Sequence, residues 1–118
     1  MTPNSSVQVA PNINMVTNFP SDSQGRLIAT MPDDTMDGEI ECRATIIIDN
    51  QPRKYLEDGI FAFFADGIFM VKRLQFLPDG ILVLPNNKHY LDWKIEPSGD
   101  CNLVIIGRVV LSLSERKH

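Results

Sequence analysis

The sequence predicts a mostly β domain of compact, twisted antiparallel sheets joined by hairpins, with little or no helix. Three observations lead there. Apolar and β-branched residues come in short runs rather than long ones. Turn pairs such as Asp66-Gly67 and Asp79-Gly80 separate those runs at hairpin spacing. No segment sustains the 3.6-residue period of an amphipathic helix.

The elements follow in order. Residues 1–24 are rich in Asn, Pro, Ser, Gln and Thr, and bury too little apolar area to offset their ordering entropy. They read as a flexible linker or arm, with one domain over residues 25–118. Leu27 to Met31 is a short apolar strand, and Pro32 to Gly38 a loop or single helical turn. Ala44 to Asp49 is a β-branched strand ended by Asn50-Gln51-Pro52. Gly59 to Phe64 and Ile68 to Phe76 form a hairpin around Ala65-Asp66-Gly67, and Ile81 to Leu84 pairs back across Asp79-Gly80. Tyr90 to Ile95 is a weaker alternating strand, in which Tyr90 and Trp93 are expected to pack in the core, an exposed interaction surface being the alternative. Leu103 to Leu113 closes the domain as a long strand with a bend expected at Gly107.

Composition narrows the function. The chain has 118 residues, 43% hydrophobic and 22% charged, ordinary values for one globular domain. A net charge of −4 lacks the basic signature of a nucleic-acid binder. No run approaches the length of a membrane span, and the first residues have neither the basic nor the apolar part of an export signal. A cytoplasmic setting is expected, with Cys42 and Cys101 as free thiols. His89 lies in a polar turn and His118 ends the chain. Neither has a spaced partner, so no metal and no cofactor is expected.

Two residues carry chemistry. Lys72 is the only charge on the strand face shared by Ile68, Met70, Leu74 and Phe76. Such a lysine either snorkels to water at the sheet edge or is desolvated, and a desolvated ammonium loses its proton and becomes a base. Thr35, in Asp33-Asp34-Thr35-Met36, is a turn or N-cap residue on one reading and a nucleophile for Lys72 on another.

Taken in order, Asp33-Asp34-Thr35-Met36, Ala44 to Asp49, Asp58-Gly59-Ile60, Val71-Lys72-Arg73-Leu74, Asp79-Gly80-Ile81 and Val104 to Val110 resemble the LexA-like family. That family includes LexA, UmuD and lambda-type phage repressors. The resemblance implies a β-rich C-terminal domain whose Ser–Lys dyad cleaves the protein's own linker. Carried onto this chain, it makes Thr35 the nucleophile and Lys72 its base. Backbone N–H groups near Thr35 and Met36 would hold the oxyanion. Asp34 and Asp49 either orient the loop by hydrogen bonding or fill ordinary turn and strand-end roles, the latter being the simpler reading. Met36 is otherwise a core residue.

The departures are specific. Thr35 stands where the family has serine, and its methyl stiffens χ1 and crowds attack. Asp33 replaces a glycine, and Arg43-Ala44 replaces Gly-Asp. Ala-Gly and Cys-Gly, the family's cleavage dipeptides, occur nowhere in residues 1–34. They imply a retained fold whose protease is impaired, lost or parted from its substrate.

The resemblance implies three functions. The first is the dimerisation and regulatory domain of a phage-type transcriptional repressor, with DNA contacts made only by an upstream helix-turn-helix domain outside this chain. It would be released by an antirepressor protein or by cleavage in the SOS response. The second is an active self-cleaving peptidase stimulated by the RecA filament, and the third a UmuD-like polymerase accessory subunit. A homodimer, with higher oligomers open, is expected through Val104, Ile105, Ile106, Arg108 and Val109 on the closing strand. Burial of that strand in its own sheet is the alternative.

Overall fold

The computed structural model describes residues 7–8, 19–51, 57–97 and 99–114. Eight strands form one sheet: β1 (Val7–Gln8), β2 (Leu27–Thr30), β3 (Thr45–Asp49), β4 (Gly59–Ala65), β5 (Ile68–Leu77), β6 (Gly80–Leu84), β7 (Trp93–Ile95) and β8 (Leu103–Leu113). Among the described residues there is no helix. The order across the sheet is β2-β3-β8-β4-β5-β6-β7, all antiparallel, with β1 pairing in parallel to β8.

The hairpin turns explain the register. Asp66 and Gly67 both have positive φ, 51° and 82°, the two-residue turn whose twist matches the strands it joins. Phe61 therefore faces Lys72 across the β4–β5 ladder, and Ala62 faces Val71. β5 alternates as expected over Met70, Leu74 and Phe76, which join one apolar cluster with Phe61, Phe63 and Ile105. Ile68, at the strand's start, is instead exposed. Val71 lies in a second cluster with Ile46, Ile48, Met31, Met36 and Ile106. The sheet is thus buried on both faces along its middle, which explains the near-continuous apolar runs in β3 and β8.

β8 is the centre of the domain. Its first half pairs with β4 and its second half with β3. The register slips once on each side, so Ile106 has no partner in β4 and Val110 none in β3. These are β-bulges. The Asn50 amide donates to the Ile106 carbonyl at the first of them. Next to it, Gly107 passes so close to β3 that a Cβ would collide with the Asp49 carbonyl oxygen and lie 2.8 Å from Ile48 Cγ2. The bend expected at Gly107 is this bulge.

Three expectations change. Phe19 packs against Phe64 and Phe69, and the Pro20 carbonyl accepts from Ile28 N–H, so the folded unit already includes Phe19 to Gln24. Val7–Gln8, within the segment read as an arm, forms β1 because β8 offers its first residues a free edge. Tyr90 and Trp93 are exposed rather than core, since strand β7 begins only at Trp93 and lies at the sheet's edge. Pro52 belongs to the turn expected after β3 and lies outside the described residues, as does His118. Both thiols are free, Cys42 exposed and Cys101 half-buried.

Candidate active site

The loop between β2 and β3 is pinned at both ends. Met31 N–H donates to the Ala44 carbonyl and Arg43 N–H to the Met31 carbonyl. Arg43 has φ of 72°, a left-handed conformation suited to glycine, at the position where the family motif has Gly. Within the loop, Met36 is fully buried in the core and its carbonyl accepts from the N–H groups of Glu39 and Ile40. The segment after β6 supports it from outside. Asn86 and Asn87 N–H both donate to the Thr35 carbonyl, the Asn87 side chain to the Asp34 carbonyl, and the Tyr90 hydroxyl to the Asp34 carboxylate. Arg73 on β5 reaches Glu39 at 2.7 Å.

These restraints bring Thr35 against Lys72. Lys72 is 6% exposed and Thr35 5%, the only buried polar or charged residues among those described. The Lys72 ammonium donates to Thr35 Oγ1 at 3.0 Å. The Thr35 hydroxyl in turn donates to Asp33 Oδ1 at 2.6 Å. Thr35 N–H donates to the same oxygen at 3.1 Å, and Asp33 Oδ2 lies 3.7 Å from the ammonium. Burial pushes Lys72 below the ordinary lysine value, against the opposing pull of Asp33's charge and hydrogen bond.

The arrangement contains a hydroxyl nucleophile, an amine next to it, and a backbone donor at the nucleophile's own residue. A neutral Lys72 in this position would accept the hydroxyl proton and activate Oγ1 for attack on a carbonyl. A protonated Lys72 instead donates to the same oxygen and holds it inert.

The other expected site residues separate. Asp34 accepts from Asn87 through its carbonyl and from Tyr90 through its carboxylate, whereas Asp49 ends β3 and accepts from Gln51 N–H. His89 is exposed, as a polar turn requires. Val104, Ile105 and Ile106 are buried in the chain's own sheet, because β8 is central and both faces are covered. Arg108 donates to the Asp58 carbonyl and lies over the Phe61 ring, and half-buried Val109 packs on the second cluster, with Val71 and Ile106. The expected interface is therefore revised: the free surface of β8 is at Val110, Leu111 and Leu113. Sequence reasoning missed the contacts of Asp33 and the Asn86-Asn87 support. Asp-x-Thr is the pattern of an Asx turn, which could have flagged Asp33.

The Peptidase S24-like family model matches residues 4–110. The 26 kDa repressor protein of Escherichia phage HK022 is 30% identical over 87 residues, which cover 74% of this chain and 37% of that protein. The chain thus spans little more than a third of the curated relative it matches.

Proposed function

Because this chain belongs to the Peptidase S24-like family, we propose that it is the C-terminal regulatory and self-association domain of a phage-type transcriptional repressor. Operator DNA would be bound by an upstream helix-turn-helix domain, and two linked heads would engage two half-sites together. The similarity to a phage repressor supports this reading, and so does the acidic balance of the chain. The observation that carries it is the Thr35–Lys72 hydrogen bond, a buried polar pair that joins the β2–β3 loop to strand β5. Self-association would use the exposed apolar end of β8 at Val110, Leu111 and Leu113. Release would come from a bound antirepressor or from cleavage promoted by the RecA filament.

The same hydrogen bond favours a second reading, self-cleavage. Neutral Lys72 takes the Thr35 proton while Oγ1 attacks a linker carbonyl. The resulting ammonium then protonates the leaving amine, and water hydrolyses the ester to free Thr35. Incubating the full repressor at pH 10 and with activated RecA, beside Thr35→Ala and Lys72→Ala, separates the two. Cleavage lost in both variants establishes the enzyme; none in the parent leaves control by a binding partner. Sedimentation of this chain tests the shared premise, since a monomer at high micromolar concentration removes the self-association role.

A further inference from the structure

At the Thr35–Lys72 site, the groups that activation needs are already occupied by a third side chain. A single carboxylate oxygen, Asp33 Oδ1, accepts both the hydroxyl proton and the backbone N–H of Thr35. The other oxygen faces the ammonium at 3.7 Å. Three consequences follow from elementary chemistry. The Thr35 hydroxyl has one proton, and directing it to Asp33 leaves none for Lys72. The Lys72 ammonium then donates to Oγ1, the reverse of the direction that base catalysis requires. The Thr35 N–H, a donor next to the nucleophile where an oxyanion would be stabilised, already binds an anion.

We propose that Asp33 is a positioning residue that holds the Thr35–Lys72 pair at rest, its carboxylate occupying the place of the reaction's own oxyanion while its charge keeps Lys72 protonated. This rests on reading Thr35 and Lys72 as the peptidase pair, and adds how that pair is restrained. The site becomes competent when Asp33 leaves it. The side chain can do so: it is 40% exposed on a loop, and water awaits it there. A carbonyl presented to Thr35 would compete for the same donor and displace the carboxylate, so substrate engagement and release of the restraint would be one event.

The surrounding charges leave Asp33 as the group responsible. Asp34 is bound by Tyr90, Glu39 is paired with Arg73, and Arg108 is engaged with the Asp58 carbonyl and Phe61. Among the described residues, Asp33 is the charged side chain within ion-pair distance of Lys72. Burial acts on the lysine in the opposite sense to Asp33, so removing the carboxylate leaves desolvation unopposed.

Two substitutions separate charge from occupancy. Asp33→Asn keeps an oxygen for the two Thr35 donors but removes the charge; Asp33→Gly removes both. The Lys72 13Cε resonance, assigned with Lys72→Ala, is titrated by NMR in the intact chain and in both variants. The midpoint is expected to fall by about one pH unit or more in each variant, tenfold in proton affinity. An unmoved or raised midpoint overturns the proposal. Self-cleavage of the full repressor is followed in parallel, with an increase of at least about tenfold expected for Asp33→Gly. Cleavage lower in Asp33→Asn than in the parent would overturn the restraint, since Asp33 would then be acting as the base. A lowered midpoint with no cleavage in any variant upholds the hold on Lys72 and removes the peptidase reading instead.

Discussion

Replacing Lys72 with methionine should stabilise this protein. The lysine head is almost wholly removed from water, yet among the described residues its ammonium has one close partner, Thr35 Oγ1 at 3.0 Å, and a looser one in Asp33. Asp33 stands 3.7 Å away and is half in solvent, so its attraction is diluted. That attraction and one hydrogen bond to a neutral hydroxyl recover only part of a desolvation cost of several kcal/mol. Methionine keeps the apolar stem, leaves Thr35 bonded to Asp33 and leaves Asp33 able to reach water. The expected gain is about 1–2 kcal/mol at pH 7.

The pH dependence has a definite sign. The folded-state pKa of Lys72 is lowered from its ordinary value of 10.5. Between the two values the unfolded chain binds the extra proton, so stability rises with pH across that window. The penalty is fully present below the folded pKa and is gone above 10.5. Urea melts of wild type and Lys72→Met at equal protein concentration, stepped from pH 7 upward, should show the advantage of methionine narrowing as the solution turns alkaline. A variant less stable than wild type by 1 kcal/mol, or a gap indifferent to pH, would refute the reasoning.

Other outcomes follow from the backbone and the sheet. Arg43→Gly should raise stability by about 0.5–1 kcal/mol, read as a higher urea midpoint, by relieving the φ of 72°. Gly107→Ala should lose roughly 2–3 kcal/mol or more, because its Cβ would drive β8 away from the Asp49 carbonyl. Leu111→Lys, at a residue 46% exposed, should leave the thermal melt nearly unchanged and turn a dimer into a monomer in sedimentation. Ile106→Glu, at a residue 1% exposed, should instead unfold the domain, at a loss on the order of 4 kcal/mol.

Seven of the eight strands were legible as apolar runs between turn pairs, and for β4 and β5 the Asp66-Gly67 turn also fixed the register. β1 was not legible. A two-residue strand leaves no pattern to read. Of the two bulges of β8, the one beside Gly107 was legible as a bend and the one at Val110 was not, and neither showed that Ile105 and Ile106 belong one to each core. At the site, the order of residues brought Thr35 and Lys72 together, and their burial follows from the strand pattern around Lys72. Asp33 was seen only as a replaced glycine. Its role depends on a loop conformation set by Asn86, Asn87 and Tyr90, some fifty residues further on.

The position of β8 governs when this domain can fold. Of the strands described, the one synthesised last, β8, is the one that lies between β3 and β4. Until Leu103 and its successors leave the exit tunnel, the chain holds two separate pieces, a β2–β3 pair and a β4–β7 meander, with their central edges open. At about 5–20 residues per second, the strands that precede β8 have several seconds to form their local hairpins before it arrives. The long-range pairing of β8 with β3 then makes the final step slow relative to local hairpin closure.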